Sequence, residues 1–446
     1  MSIFKAYDIR GIAGEELDAR MAYRIGYYLP ALLMTDHLLV GRDMRLSSEE
    51  LSASLIEGIR AAGATVTDAG LTTTPMLYYA TGRDGFRGSV QVTASHNPAE
   101  YNGMKVSGAH ALPVGYEDGL DWLEAQVARE PGPTGSKGGL RHLEVREDYL
   151  NFLIRQVDGR IPDLDMVIDC SSGMGGLLAR ALFGERPHYL NEAPDGRFPA
   201  HEPNPLDPQS RSQLSAEVKE KRASLGMIFD GDADRVMFVD EQGEFISPDL
   251  FIALLGHHFL EGRAAATVLQ DIRSSRNVAE YLSRWNARVE TWKVGRAFAA
   301  RRLRELKGTY GGELAGHYYF RDFYYSDSGM LAALLITRVI QGLQHDRSPL
   351  SAIIARLTRW QSTGEVNFRI EAKDEAIQAL VRELPGTERP VRVLDFDGYR
   401  LDFRDWWFNV RKSNTEPYLR FIAEALDPDK LAERLEQARN ILGRYS

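Results

Sequence analysis

HLLVGRDMRLSSEELSASLIEGIRAAGATVTDAG, residues 37–70, decides the fold class. HLLVGRD reads as a strand that ends in a charged turn. In SSEELSASLIEGIRAAG apolar residues recur three to four positions apart, the period of a helix buried along one face. Ser47 and Glu50 stand at the spacing of a capping box, and Gly63 is placed to end the helix. ATVTDAG then reads as a second strand. A strand, a helix and a strand in so short a span form a βαβ unit, whose strands pair in a parallel or mixed sheet covered by helices.

The same rhythm runs outward from this stretch. GSVQVTAS is a further strand that leads directly into VTASHNPAEYNG, residues 92–103. A Gly/Pro/Lys-rich stretch, REPGPTGSKGG at residues 129–139, reads as a linker. The pattern restarts with DMVIDCSSGMGGLLARALF, a strand, a turn and a helix. LGMIFDGDADRVMFVDEQG follows as two apolar runs around an acidic turn. A third unit begins near residue 250, with ATVLQDI, the helical RNVAEYLSRWN, and RVETWKVG. Beyond about residue 365 the texture changes: VNFRIEA, VRVLDFDGYRLDF and DWWFNVRKSN alternate as antiparallel strands do, and LAERLEQARNIL closes as an amphipathic helix. The expected organisation is therefore three related α/β domains with mixed sheets, at residues 1–141, 142–249 and 250–358, and a smaller α+β domain at 359–446. The chemically loaded stretches fall in different units and where strands end. Ligands of open α/β sheets bind there, so the site is expected in a central cleft between domains.

Composition limits the function. At 446 residues the chain is too long for one core. A net charge of −9 argues against a nucleic-acid or anionic-membrane partner. The single cysteine, Cys170, excludes an internal disulfide, in keeping with a reducing cytoplasm, and its place at the end of MVID reads as a buried small hydrophobe. KAYDIRG brings charge into the N-terminus at once, unlike a signal peptide. No run of about 18 apolar residues is present to span a membrane. Nothing in the sequence calls for an obligate protein partner.

DGDADR carries the strongest chemical signal. Asp230, Asp232 and Asp234 alternate in one short loop, and at about 4 Å and an effective dielectric near 20 each close pair of carboxylates costs about 4 kcal/mol. A cation removes that cost. An EF-hand is excluded, because Arg235 stands where that loop needs glycine and strands flank the loop in place of helices. Hard oxygen ligands favour Mg²⁺. Ser95 beside His96 resembles half of a hydrolase pair. Yet adjacent side chains in extended backbone point to opposite faces, and no G-x-S-x-G elbow surrounds the serine. Pro98 shapes the turn, and Lys105 lies close behind it. A serine at a strand end, facing a metal and a lysine, suits phosphoryl transfer better than acyl transfer. RKSNTEP, residues 411–417, gathers donors suited to a phosphate. GGELAGHYYF, residues 311–320, offers a carboxylate and an imidazole for a polyol. KAYDIRG contributes Tyr7 and Arg10. SSGMGG lacks the G-K-[ST] of a P-loop and receives no phosphate role.

KAYDIRG, TASHNP, DGDADR, GELAGH and RKSNTEP, in that order and over essentially the whole chain, resemble the α-D-phosphohexomutase family, most closely its bacterial phosphomannomutase/phosphoglucomutase branch. Asn414 is similar to this branch, where the phosphoglucosamine branch usually has glycine. The resemblance implies a fourth domain of TBP-like α+β fold. It implies Ser95 as the phosphoserine, with Asp230, Asp232, Asp234 and the phosphoserine holding Mg²⁺. Lys105 and Arg235 would stabilise the transferring group, and Tyr7 and Arg10 look like the family's N-terminal active-site residues. Glu313 would bind sugar hydroxyls, in a sugar-binding set that takes in His317, Arg296, Arg273 and Tyr7. Arg411, Ser413, Asn414 and Thr415 would grip the phosphate that is not reacting. The implied reaction moves phosphate reversibly between the 1- and 6-positions of an α-D-hexose phosphate, mannose or glucose, through a bisphosphorylated sugar. Hexose 1,6-bisphosphate would serve as activator and a small sugar phosphate as the only partner. For the general base, His96 and His317 both stand as candidates.

Three residues depart from the family pattern: Ala315 replaces the serine of GE-x-SGH, Arg296 replaces a histidine, and Arg273 replaces a lysine. All three fall in the third domain, which reads the sugar, so a shifted preference, for example toward glucosamine phosphate, is an alternative expectation. A sugar-phosphate-binding protein with impaired turnover is another. A metal-dependent phosphatase is disfavoured by RKSNTEP, since hydrolysis needs no second phosphate grip.

Overall fold

A computed structural model describes residues 2–132, 135–263, 266–344, 348–413 and 418–445. The first sheet has the order Ile9–Ile12, Tyr101–Gly108, Gly88–Val92, His37–Arg42, Thr65–Leu71, Leu140–His142. Its first three strands pair antiparallel and the rest parallel, so the sheet is mixed, as the βαβ reading requires. The helix expected after His37–Arg42 spans Ser48–Ala61, and Gly63 follows it at φ +91°. The capping box is not formed. Ser47 lies in helical backbone and makes no side-chain cap, and its hydroxyl instead accepts a 2.8 Å bond from Asn102 Nδ2. The Gly/Pro-rich stretch at 129–139 leads into Leu140–His142, which completes the first sheet. It is a loop of the first domain rather than a bridge to the second.

The second sheet, Phe245–Ile246, Val236–Asp240, Leu225–Phe229, Met166–Asp169, His188–Leu190, is also mixed, and its antiparallel hairpin 225–240 carries the acidic turn. The third runs Arg288–Trp292, Thr267–Asp271, Tyr310–Gly312, Tyr318–Phe320. One apolar core joins these two domains and reaches into the first through Met76, Leu77 and Tyr78. Cys170 is buried in that core.

The fourth sheet is wholly antiparallel, in the order Gln361–Ser362, Tyr418–Ala425, Trp406–Lys412, Tyr399–Asp402, Arg392–Leu394, with Val366–Arg369 also on Tyr418–Ala425. Trp406, Phe408 and Val410 point to one face, where they share a core with the helices Lys373–Glu383 and Pro428–Leu442. Trp407 points to the other, against Trp360. This domain meets the third through apolar contacts, Leu314 on the Trp407 cluster and Trp292 on Phe396, and through polar groups. Arg400 Nη1 donates to Ile272 O and Ser274 O at 2.8 Å, and Arg276 Nη1 donates to Phe403 O at 2.7 Å. Among the described residues no helix is long and apolar enough to cross a membrane.

Candidate active site

The strand Gly88–Val92 delivers Ser95 to the seam with the second domain. Ser95 is buried and left-handed at φ +52°, a conformation that costs a non-glycine residue about 1–3 kcal/mol unless its surroundings hold it. Two contacts fix it locally: its N–H donates to Thr93 Oγ1 at 3.0 Å, and Asn97 N–H donates to Ala94 O at 3.0 Å. The larger constraint is Arg45, which sequence reasoning missed. Its buried guanidinium donates from Nη2 to Ser95 O at 3.0 Å and Asn97 O at 2.6 Å, and from Nη1 to Pro98 O at 2.6 Å and Tyr101 O at 2.9 Å. Asp43 sits against it at 3.4 Å, and the ring of Phe198, from the second domain, lies 4.9 Å from it.

Ser95 Oγ donates to Asp230 Oδ2 at 3.0 Å. The approach depends on Gly231, where a Cβ would lie 2.4 Å from Ser95 O. Asp230, Asp232 and Asp234 are fully buried, with ligand oxygens within 4.8 Å of one another. Lys105 Nζ reaches Asp232 Oδ2 at 2.6 Å and Asp234 Oδ2 at 2.5 Å, Arg235 Nε donates to Asp230 Oδ2 at 2.9 Å, and Thr74 Oγ1 donates to Asp232 Oδ2. Two cations thus face three carboxylates. Burial and the neighbouring Asp234 push the Asp230 carboxyl up to about 7. Against the cost of burial, Lys105, His317 and Arg235 hold Asp234 below the usual carboxylate range. Asp232 Oδ1 and Asp234 Oδ1 are buried acceptors with no hydrogen-bond partner among the described residues. Hard oxygens left with surplus negative charge fit a divalent cation, so the cluster can hold a metal ion.

The other expected groups surround this centre. Arg10 Nη1 donates to Asn97 Oδ1 at 2.6 Å, which ties the N-terminal motif to the serine loop. His96 is half-buried, and burial together with Arg235, Arg10 and Lys105 pushes its pKa well down. From the third domain, His317 Nδ1 donates to Asp327 Oδ2 at 2.6 Å and lies 3.7 Å from Asp234 Oδ1. Glu313 is buried, accepts from Tyr319 OH at 2.6 Å and from Gly295 N at 3.3 Å, and burial raises its pKa. Arg296 donates from Nη1 to Tyr78 OH and lies 5.0 Å from that ring, while its buried Nη2 has no hydrogen-bond partner among the described residues. Arg273 pairs with Asp271 at 2.8 Å and Glu365 at 3.3 Å, and stands 3.9 Å from Glu313. Tyr7 OH donates to Val294 O at 3.0 Å, joining the first domain to the third.

In the fourth domain Arg411 is buried beside Arg273 and Asp397. Its Nε and Nη1 lack hydrogen-bond partners among the described residues. Ser413 N–H donates to Tyr418 O at 2.9 Å. Asn414 and Thr415 lie outside the described residues. Thus one centre unites Ser95, His96, Arg10, Lys105, Arg235 and the three aspartates with His317. A second cationic group, Arg411 and Arg273, stands on the fourth-domain side. Thr74, Tyr78 and Asp327, besides Arg45, were not read from the sequence.

Residues 1–132, 147–243 and 247–360 match the α/β/α domains I, II and III of phosphoglucomutase/phosphomannomutase, and residues 365–441 match its C-terminal domain. A protein of Xanthomonas campestris pv. campestris described as phosphohexose mutases is 36% identical over 446 residues, 98% of each chain. A phosphomannomutase of Vibrio cholerae is 36% identical over 453 residues, 97% of each chain. The crystal structure of a phosphoglucomutase/phosphomannomutase family protein from Burkholderia thailandensis superposes with a TM-score of 0.88 at 30% identity, covering 99% of this chain and 97% of that one. Four domains around a buried serine and an acidic loop define an enzyme that transfers phosphate within a sugar phosphate. The chain belongs to the phosphoglucomutase/phosphomannomutase family, and its activity is that of a phosphohexose mutase.

Proposed function

We propose that the enzyme moves phosphate reversibly between the 1- and 6-positions of an α-D-hexose phosphate, mannose or glucose, with Ser95 as the phosphoryl carrier. The bond from Ser95 Oγ to Asp230 carries this reading: the only serine in the TASHNP loop faces the acidic loop with two cations beside it. Asp230, Asp232, Asp234 and the phosphoserine would hold Mg²⁺, which supplies charge neutralisation when bound. In the forward half-reaction the bond between phosphorus and Ser95 Oγ breaks as a bond to a sugar oxygen forms. Lys105 and Arg235 stabilise the charge on the moving group and on the Ser95 oxygen, which leaves as an oxyanion and attacks again in the return step, and the sugar hydroxyl yields its proton to His317.

Between the two candidate bases, geometry favours His317. Asp327 holds its Nδ1, which orients the ring and leaves Nε2 to exchange the proton. His96 is surrounded by Arg235, Arg10 and Lys105, which disfavour an imidazolium. Glu313, Arg273, Arg296 and Tyr7 would read the sugar, and Arg10 would support the serine loop. The bisphosphorylated sugar turns over in the cleft, and its other phosphate returns to Ser95 as His317 gives the proton back. Arg411, Ser413, Asn414 and Thr415 would grip whichever phosphate is idle, so one site serves both half-reactions. Hexose 1,6-bisphosphate would prime the serine. The reading places the enzyme in the cytoplasm with a small sugar phosphate as its partner, and divides the chain after residues 141, 249 and 358. The grouping of strands into four sheets supports that division, although Leu140–His142 carries the first sheet one residue past its boundary.

A second reading, the same mutase with a shifted sugar preference, is favoured by Arg296. Its guanidinium is committed to Tyr78 through one nitrogen, and its buried Nη2 has no hydrogen-bond partner among the described residues. A fixed charge there selects for a substrate acceptor where a histidine selects by protonation. Mannose, glucose and glucosamine 1-phosphates, each supplied with Mg²⁺ and bisphosphate, test both. Conversion of mannose or glucose 1-phosphate to the 6-phosphate supports the first reading. Preferential conversion of the amino sugar supports the second, and phosphate release without isomerisation contradicts both.

A further inference from the structure

The turn at residues 395–398 joins Arg392–Leu394 to Tyr399–Asp402 in the fourth domain and touches two functional loops at once. On one side, Asp397 Oδ2 accepts the Val294 N–H at 2.8 Å. On the other, Asp397 Oδ1 faces Arg411 Nη1 at 3.9 Å, too far for a hydrogen bond but close enough to set the direction of the guanidinium. The turn lies directly on the arginine's strand: Gly398 has φ +66°, and a Cβ there would meet Val410 O at 2.2 Å and Arg411 Cβ at 2.5 Å. Phe396 packs on Trp292 with ring centroids 5.4 Å apart, just ahead of the third-domain loop.

That loop, residues 293–295, is held by three domains. Val294 O accepts from Tyr7 OH of the first domain, Val294 N donates to Asp397 of the fourth, and Gly295 N donates to Glu313 of its own domain. One dipeptide therefore carries contacts from three domains, and Arg296 follows it directly. The Arg411 donors that lack a hydrogen bond among the described residues, Nε and Nη1, stay available to an anion while the carboxylate beside them keeps its bond to the sugar loop.

We infer that Asp397 is a positioning residue that couples the phosphate grip at Arg411 to the sugar-reading loop at Val294 and Gly295, so that an anion bound to the fourth domain orders the loop of the third. This rests on the reading of Arg411 as a phosphate ligand. A substrate phosphate takes the Arg411 donors, and the turn that backs the arginine holds Val294 in register for the sugar. Asp397→Ala removes both contacts. Asp397→Asn keeps an acceptor for Val294 N and removes only the charge that faces Arg411.

Two measurements test the coupling. The first is amide hydrogen exchange over residues 292–298 with and without inorganic phosphate, which needs no turnover. Phosphate is expected to slow exchange there in the wild-type protein, to slow it less in Asp397→Asn, which keeps only the bond to Val294, and to leave Asp397→Ala unprotected. Equal protection in the alanine variant, or none in the wild type, overturns the inference. The second is steady-state mutase assay with free phosphate measured alongside product. Asp397→Ala is expected to raise KM about tenfold and to release more phosphate per turnover, with asparagine restoring only the part that depends on the bond to Val294. An alanine variant with wild-type KM and phosphate release overturns it too. A wild-type protein that shows phosphate protection but no isomerisation would instead sink the proposed reaction and leave the coupling intact.

Discussion

Replacing Arg45 with lysine tests whether the serine loop is held in a strained, productive shape. The arginine spans four carbonyls, those of Ser95, Asn97, Pro98 and Tyr101, at 2.6 to 3.0 Å. A lysine ammonium is a single point and reaches about two of them. Each charge-assisted bond contributes about 1.5–3 kcal/mol, so the gross loss is about 3–6 kcal/mol. Relaxation of the loop recovers part of that. If about 3 kcal/mol is lost from the placement of Ser95 in the transition state, kcat falls about 150-fold. KM should change less than about threefold, because Arg45 touches no group assigned to the sugar. The charge opposite Asp43 is retained, so the fold should survive. The assay is steady-state isomerisation of a hexose 1-phosphate, with circular dichroism as the control for folding. A folded variant with kcat within threefold of wild type, or with the loss confined to KM, would refute the reasoning.

Arg296→His should shift the ratio of kcat/KM between mannose and amino-sugar 1-phosphates by about tenfold or more; an unchanged ratio would remove Arg296 from specificity. Mg²⁺ at about 100 times its Kd should stabilise the protein by about 2.7 kcal/mol, seen as a rise in Tm, and Asp234→Asn should abolish the rise; equal shifts would place the ion elsewhere. Glu424 is buried under Trp407 Nε1, which donates to it at 2.7 Å, and burial followed by Asp249 pushes its carboxyl up to about 7. A raised carboxyl pKa means the folded state holds the proton more tightly, so its contribution is full below about pH 4.5 and is lost as pH rises through 7. Glu424→Gln keeps an acceptor and never ionises. Its stability advantage over wild type should therefore grow between pH 5 and 8, toward about 3 kcal/mol, and parallel urea curves across that range would contradict this.

What the sequence made legible was local and repetitive. The βαβ rhythm of 37–70 was readable because strand, helix and turn each carry their own period. Ser95 and the three aspartates were readable because each set is contiguous within one loop. Arg45 and Thr74 were not, since their partners come from distant chain: Thr74 and Asp232 stand 158 positions apart. GRDMR holds a charged turn that any surface loop would show. The strand Tyr418–Ala425 is buried over most of its length, so alternation does not mark it. The helix Lys373–Glu383 does carry a readable apolar face in Ala376, Ile377, Ala379 and Leu380. The capping box at Ser47 failed for a tertiary reason, since Asn102 of the neighbouring strand takes its hydroxyl.

The central claim is that Ser95 carries the phosphoryl group between the two positions of the sugar. The most direct measurement is mass spectrometry of the protein after incubation with glucose 1,6-bisphosphate and Mg²⁺, with peptide mapping and with Ser95→Ala in parallel. The account predicts a gain of one phosphoryl group at Ser95, its loss on addition of excess hexose monophosphate, and neither phosphorylation nor isomerisation in Ser95→Ala. Phosphate on another residue, or isomerisation by Ser95→Ala at the wild-type rate, would contradict it.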